Sequence, residues 1–172
     1  LGKIGSERIV NQLISLLSDK DSGVRWAAAD ALGMIGSERA VDHLIPLLSD
    51  KDSDVRREAA EALGKIGSES AVDQLIPLLS DKDSGVRWAA AYALGMIGSE
   101  RAVDHLIPLL SDKDSDVRRE AAEALGKIGS ESAVDQLIPL LRNKDYVIRW
   151  AAAYALGNIS KKFKENDLFR LV

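Results

Sequence analysis

Apolar residues recur along the chain at helical spacing, and the pattern repeats every 31 residues. Within residues 36–66, one set of apolar positions falls at i, i+3, i+4 and i+7. These positions are Val41, Leu44, Ile45 and Leu48. The spacing places them on one face, and it predicts an amphipathic first helix in this segment.

A second helix is predicted in the latter half of the same segment. A polar turn, residues 49–53, comes first, and Asp52 or Ser53 is suited to cap the helix N-terminus. The inward face is formed by Val55, Ala59, Ala62, Leu63 and Ile66. Gly67 follows the last apolar residue and is suited to a left-handed helix end. Each segment therefore predicts an antiparallel helix pair.

Two residues modify the predicted first helix. Ser37 is expected to cap its N-terminus. Pro46 lies inside it, has no N–H to donate to the Asp42 carbonyl, and predicts a kink. The same kink is expected at Pro77, Pro108 and Pro139, whereas Ser15 takes the place of proline in the first segment.

The repetition itself predicts the fold. Residues 36–66 and 98–128 are identical letter for letter, and residues 67–97 differ from them at seven positions. Such a period is typical of a solenoid, in which each repeat buries its apolar face against its neighbours. We therefore predict one all-α domain, 1–172, an α-solenoid of about five helix pairs. Its parts are 1–4 (the end of a preceding repeat), repeats 5–35, 36–66, 67–97, 98–128 and 129–159, and 160–172 (a C-terminal cap or tail).

The differences between repeats are confined to a few surface positions. Five of the seven lie along the second helix at the spacing of a single stripe, which we predict to lie opposite the core. We call this the second-helix stripe. Its three rows are Trp26, Arg57, Trp88, Arg119, Trp150; Asp30, Glu61, Tyr92, Glu123, Tyr154; and Met34, Lys65, Met96, Lys127, Asn158. Repeats 5–35, 67–97 and 129–159 are called aromatic repeats below, and the two identical repeats are called charged repeats.

The stripe is the candidate binding site, because Trp, Tyr, Met and Arg are enriched at protein interfaces. The candidate residues are Trp26, Asp30, Met34, Arg57, Glu61, Trp88, Tyr92, Met96, Arg119, Glu123, Trp150 and Tyr154. A purely structural role is the alternative. Arg57, Glu61 and Lys65 are spaced to pair with one another at i, i+4, and each arginine is placed to lie over a neighbouring Trp.

Two recurring motifs carry a family resemblance. Gly-Ser-Glu-x-Ala-Val-Asp-x-Leu-Ile and Asp-Ser-x-Val-Arg-x-x-Ala-Ala-x-Ala-Leu-Gly-x-Ile-Gly resemble the short HEAT-like repeat of the phycobilisome-lyase type, and are similar to artificial αRep scaffolds. The resemblance implies a right-handed superhelix with the second helices on its concave side. It also implies a ladder between repeats, formed by the turn aspartates Asp21, Asp52, Asp83, Asp114 and Asp145 with Arg25, Arg56, Arg87, Arg118 and Arg149.

Other chemistry finds little support in the sequence. The chain has no cysteine, and its net charge of -4 argues against nucleic-acid binding. The turn at residues 50–54 resembles a calcium loop, but Val55 occupies the position that requires glycine. His43 and His105 lie two repeats apart, too far to share a metal ion. We expect no cofactor and no metal. No apolar run approaches membrane-spanning length and no signal peptide is visible, so we also expect no membrane partner and predict a cytoplasmic location.

The sequence thus favours a non-catalytic scaffold that binds a protein or peptide through its concave face. Two alternatives stay open. One is a bilin lyase or its chaperone-like subunit, which only the resemblance supports. The other is an engineered or recently duplicated array without an evolved ligand. Because nothing covers the first repeat, self-association through it is also expected.

Overall fold

The computed structural model describes the backbone of residues 2–170 and the side chains of residues 7–164. Within that range the chain forms helices and no strands, as predicted. The α-helices are α1 (Gly2–Leu16), α2 (Ser22–Ile35), α3 (Val41–Leu44), α4 (Ser53–Ile66), α5 (Val72–Leu75), α6 (Ser84–Ile97), α7 (Val103–Leu106), α8 (Ser115–Ile128), α9 (Glu131–Leu140) and α10 (Tyr146–Arg170). Together they form an α-solenoid of stacked helix pairs.

The first helices of the three middle repeats are less regular than the apolar pattern predicts. In repeat 36–66, α3 is a single α-helical turn between two 3-10 segments, Glu38–Ala40 and Ile45–Ser49. Pro46 lies at the start of the second 3-10 segment, so the predicted interruption takes the form of a change in helix type. In the first repeat, where Ser15 replaces the proline, α1 is an uninterrupted α-helix. At Pro139 the predicted change does not occur, because α9 is a single α-helix that includes this proline near its end.

The predicted serine cap on the first helix is wrong. Ser37 occupies the N-cap position, but its side chain makes no capping hydrogen bond. The equivalent Ser68 instead donates to a carboxylate of the preceding repeat, Glu38, at 2.6 Å, and Ser99 donates likewise to Glu69. A hydrogen bond to a carboxylate is stronger than one to a neutral group, and here it links consecutive repeats.

The second helices follow the prediction closely at both ends. Asp52 caps α4 by accepting from the Asp54 backbone N–H at 2.9 Å. Gly67 ends the helix in the left-handed conformation, with φ of 78°. Three further glycines at the same repeat position also have positive φ: Gly36, Gly98 and Gly129.

The last second helix has no such end. Ser160 stands where glycine stops the earlier helices, and α10 continues to Arg170, so the backbone of 160–170 is helical rather than a separate tail. Lys162 on this extension donates to the Lys127 carbonyl and, at 2.7 Å, to the Ile128 carbonyl, the last ones of α8. The apolar residues expected to form a cap are Phe163, Leu168, Phe169 and Leu171. Phe163 is 36% exposed, and the other three lie outside the described side chains.

The beginning of the chain also differs from the repeat template. Residues 1–4 were expected to end a preceding second helix, with Gly5 as its stop. The described part, Gly2–Ile4, instead belongs to α1, which continues through Gly5. As the first turn of α1, these residues can accept intrahelical hydrogen bonds at their carbonyls, whereas their own N–H groups have no acceptor within the helix.

Consecutive second helices pack side by side at very short range. A methyl group placed on Gly64 would lie only 2.6 Å from the Cα of Ala93. The same contact recurs between Gly33 and Ala62 and between Gly95 and Ala124. First helices of successive repeats approach one another at far fewer positions. The second helices therefore form the tighter layer of the stack.

Candidate protein-binding surface

The aromatic repeats display stacked rings on the second helices. Trp88 and Tyr92 stack with ring centroids 5.5 Å apart, and Trp150 and Tyr154 stack at 5.3 Å. The two planes of each pair are nearly parallel, at 10° and 6°. Trp150 retains 52% of its surface exposed to solvent and Tyr154 retains 38%. Trp26 has Asp30 in place of the tyrosine one turn later, so the first aromatic repeat lacks the stack.

Shallow depressions follow the first row of the stripe. One, with a volume of about 440 Å³, lies among Arg57, Trp88 and Arg119. A second, of about 330 Å³, lies between Trp26 and Arg57. A third, of about 370 Å³, lies between Arg119 and Trp150. In the structure, neighbouring tryptophans and arginines of the first row of the stripe therefore border shared depressions.

The charged repeats are only partly self-paired. Arg57 contacts Glu61 at 3.8 Å, as the i, i+4 spacing predicts, and it also contacts Asp54 at 3.3 Å. Lys65 does not pair with Glu61; its amine lies 3.3 Å from Asp30 of the preceding repeat. The internal pairing predicted for the charged repeat is therefore confirmed only for its first half.

The identical lysine of the second charged repeat has different surroundings. Tyr92 stands where Asp30 stands in the first pair, and the Lys127 amine lies 5.1 Å from the centre of its ring. This is a cation-π contact. The contact joins Lys127 to a ring of the preceding repeat. The predicted contact between an arginine and a neighbouring tryptophan is not found among the described side chains.

A ladder of ion pairs joins the repeats, but its aspartates are not the ones that the resemblance implied. Arg25 donates through Nε and Nη2 to Asp50 of the next repeat at 2.7 and 2.9 Å. Arg56 binds Asp81 and Arg87 binds Asp112 in the same bidentate manner, at 2.8–3.0 Å. The hydrogen bond from Arg25 lowers the pKa of Asp50 below its ordinary value.

The aspartates assigned to the ladder cap helices instead. Asp21, Asp52, Asp83, Asp114 and Asp145 each accept a backbone N–H at the start of a second helix. They point along their own helix, whereas the aspartate two residues earlier faces the preceding repeat. The ladder ends at Arg118, because Asn143 occupies the position of Asp112 in the last repeat. Arg149 donates only to loop carbonyls, those of Asn143 and Lys144.

Comparison with known proteins identifies the family. The model of the family described as HEAT repeats matches residues 1–61, 41–123 and 103–168. The chain belongs to the HEAT repeat family. No curated protein sequence matches it significantly.

Several solved structures are similar to this HEAT repeat chain. The complex of CpcE and CpcF of phycocyanin lyase from Nostoc sp. PCC7120 is 31% identical, with a TM-score of 0.72, over 92% of this chain and 68% of that one. An engineered protein is also 31% identical, with a TM-score of 0.65, over 87% and 78% of the two chains. A designed armadillo repeat protein in complex with the peptide (KR)4 shares the fold at 24% identity, a TM-score of 0.66, and 86% and 80% coverage.

Metal and membrane chemistry can be stated for the described residues only. Their His, Asp and Glu side chains form no group of three or more that is suited to hold a metal ion. His43 and His105 are exposed on first helices, and Asp50 and Asp52 of the calcium-like turn serve the ladder and the helix cap. None of the described helices combines the length and the apolar character of a membrane span.

One position of the stripe was assigned to the wrong environment. Residue 58 varies with the stripe and was expected to be exposed, yet Glu58 is only 4% exposed and its copy Glu120 only 6%. Each carboxylate has one oxygen, Oε1, without a hydrogen-bond partner among the described residues. The nearest cations are Lys65 at 3.6 Å and Lys127 at 3.8 Å. Burial raises the pKa of both glutamates, and the lysines only partly oppose it.

Replacing this glutamate should stabilise the protein. Two of the aromatic repeats carry a fully buried alanine here, Ala89 and Ala151, so we expect Glu58→Ala to raise the free energy of unfolding at pH 7 by about 1 kcal/mol. The folded-state pKa of Glu58 is raised, so the wild type becomes more stable as the pH falls and this carboxyl is protonated. The stability advantage of Glu58→Ala should therefore vanish below about pH 4. Urea unfolding at both pH values measures it. Asp54→Ala, at a side chain that is 69% exposed, is the control and should change stability by less than about 1 kcal/mol. A less stable Glu58→Ala protein would contradict the prediction.

Proposed function

We propose that this HEAT repeat protein is a non-catalytic scaffold that binds a protein or peptide along the second-helix stripe. The observation that carries the proposal is the pair of Trp–Tyr stacks, Trp88–Tyr92 and Trp150–Tyr154, presented on one surface with a charged repeat between them. Trp150 and Tyr154 are exposed, whereas Trp88 and Tyr92 are half-buried. Large exposed apolar groups on one surface are typical of interaction sites. Trp, Tyr and Arg are also the side chains that contribute most to binding at interfaces.

The packing of the helices supports a concave binding face. The second helices approach each other at Gly–Ala contacts, while the first helices remain further apart. This difference supports a stack that curves toward its second helices, with the stripe on the inner side. An extended segment lying along that side would cross successive repeats and meet aromatic and charged side chains in alternation.

The test is a selection from a random peptide library with the purified protein. We expect enriched peptides whose affinity falls at least about tenfold in a variant with Trp88→Ala, Tyr92→Ala and Trp150→Ala. The matched control replaces three exposed first-helix residues by alanine, His43, Gln74 and His105, and should bind as the wild type does. Circular dichroism verifies that both variants keep their helices.

Two results would contradict the proposal. The first is equal peptide affinity in the aromatic variant with its helices intact. The second is no enriched peptide at all, which would favour an array without an evolved ligand.

A second candidate is a subunit of a bilin lyase. The specific support is the similarity to the CpcE and CpcF complex of phycocyanin lyase, at 31% identity over 92% of this chain. This role predicts that a linear tetrapyrrole added to the protein changes its visible absorbance spectrum on binding. An unchanged spectrum at saturating protein would exclude it. The cytoplasmic location stays a prediction under either function.

A further inference from the structure

Five arginines on the second helices share one pose. In each, Nη1 donates to the backbone carbonyl six residues earlier, at 2.7–2.9 Å. The residues are Arg25, Arg56, Arg87, Arg118 and Arg149. The hydrogen bond holds the guanidinium against its own turn and directs Nε and Nη2 toward the next repeat.

Three of these arginines reveal the ligand that the pose accepts. Arg25, Arg56 and Arg87 each hold an aspartate through Nε and Nη2 at 2.7–3.0 Å. A planar guanidinium and a planar carboxylate match in this bidentate geometry. The chain therefore contains three internal examples of a carboxylate bound at this position.

Arg118 keeps the pose and lacks the carboxylate. Its Nη1 donates to the Asp112 carbonyl at 2.7 Å, but Asn143 stands at the position of the ladder aspartate. The Asn143 Oδ1 accepts the Asp145 backbone N–H at 2.9 Å, and among the described side chains it accepts no hydrogen bond from Arg118; the other polar atom of Asn143 is the amide nitrogen. That nitrogen is a donor and cannot accept from a guanidinium. Among the side chains of residues 7–164, Arg118 forms no ion pair.

The depression of about 370 Å³ between Arg119 and Trp150 also borders this arginine, between α8 and α10, and is called the Arg118 cleft below. Its wall includes Tyr146, Val147 and Trp150, and Tyr146 is 72% exposed. Asp116, the acidic residue of the lining, lies 3.1 Å from Arg119 and is paired with it. Tyr146 and Val147 replace the Ser and Gly of the aromatic repeats. The last repeat thus removes the carboxylate and adds apolar surface at the same place.

The helix packing also changes at this junction. In the earlier junctions each close-contact glycine faces the alanine 29 residues later, as Gly95 faces Ala124. Gly126 instead faces Asn158, three residues beyond the equivalent Ala155. The closest contact of α10 with this glycine is therefore made by a residue nearly one turn later than in the template. The Arg118 cleft is not a copy of the junctions that precede it.

We propose that Arg118 binds the side-chain carboxylate of an aspartate or glutamate in a bound peptide, with an adjacent apolar side chain packed on Tyr146 and Trp150. The inference rests on the proposed function, because the Arg118 cleft lies at the C-terminal end of the second-helix stripe and Trp150 belongs to both. It adds the chemistry of one ligand residue, which the stripe alone leaves open.

The test uses two small probes, acetyl-Phe-Asp-amide and acetyl-Phe-Asn-amide, which differ only in the carboxylate. Binding is followed by nuclear magnetic resonance at the Arg118 Nε–H and the Trp150 indole N–H. We expect saturable shifts with the Asp probe and an affinity at least about tenfold lower for the Asn probe. Asn143→Asp supplies the missing carboxylate within the chain, so it should abolish this preference and also raise the melting temperature.

The control variant is Ser160→Asp, which adds the same charge on an exposed part of α10 and should bind as the wild type does. Equal affinity for the two probes would overturn the inference. So would an Asn143→Asp protein that still prefers the Asp probe, or an equal loss in Ser160→Asp. The probes need no selected peptide. If library peptides bind while the two probes bind equally, the inference fails and the proposed function stands. If the probes differ in affinity and the library yields no peptide, the inference stands and the proposed function fails.

Discussion

Gly64→Ala is expected to lower the free energy of unfolding by about 3 kcal/mol. In an exposed helix the same change stabilises, because glycine loses more backbone entropy on folding. Here the added methyl group would lie 2.6 Å from the Cα and 2.9 Å from the Cβ of Ala93. The Cα belongs to the backbone of α6 and the Cβ is fixed to it, so neither atom can rotate away. The helices α4 and α6 must therefore separate and lose contact along their length. Urea unfolding followed by circular dichroism measures the effect.

The matched control is Gly157→Ala, at the same repeat position in α10. No atom lies within 4 Å of a methyl group placed there. This variant should be more stable than the wild type by about 0.5–1 kcal/mol. The two substitutions are chemically identical and are expected to have opposite signs. Equal effects would show that helix propensity, rather than contact between repeats, determines the stability at this position.

Asp81→Asn is the second substitution with a large expected effect, a loss of about 3 kcal/mol at pH 7. Arg56 is only 7% exposed, and it donates to both carboxylate oxygens of Asp81. An amide offers one acceptor and presents a donor to the other N–H, so the guanidinium keeps its burial and loses its counter-charge. Thermal and urea unfolding measure the loss. The control is Asp54→Asn, a 69% exposed partner of Arg57, which should change stability by less than about 1 kcal/mol.

The effect of Asp81→Asn should depend on pH. Burial by itself raises the pKa of Asp81, but the hydrogen bonds from Arg56 and from the Asp83 N–H, together with the positive charges of Arg56 and Lys82, outweigh it, and the pKa is lowered from its ordinary value of 3.8. A lowered pKa means that the ion pair stabilises the fold above the unfolded-state value and that the stabilisation is lost as the pH falls through the folded-state value. The wild type and the variant should therefore differ by a constant amount near neutral pH and converge below about pH 4. A difference that persists unchanged in acid would exclude the ion pair as its cause.

Sequence periodicity predicts most of this fold because it is a local property. Val55, Ala59 and Leu63 need only helical spacing to share a face, and Gly67 needs only its own conformational freedom to end the helix. In the second-helix stripe, Trp88 stacks on Tyr92 and Trp150 on Tyr154, and Arg57, Trp88 and Arg119 border one depression. Whether this surface binds a partner stays a prediction.

The assignments that failed depend on distances between repeats. Asp50 and Asp52 are both acidic and lie in one turn, and only the direction of Arg25 across the interface decides which of them forms the ladder. The burial of Glu58 is a second example, since its helical angle lies within about 20° of that of exposed Lys65, seven residues later. A signal was present there: the aromatic repeats carry alanine at this position, as at Ala89, and small residues mark close helix contacts.

The identity of the two charged repeats has a consequence for the length of the array. A chain lacking residues 36–97 would join repeat 5–35 to a repeat with the same 31 letters as its present neighbour, followed by the same last repeat. Both junctions of the shortened chain already exist in the full one. Recombination between the two copies would thus add or remove whole repeat pairs without creating any new junction, and the alternation of aromatic and charged chemistry would keep its phase.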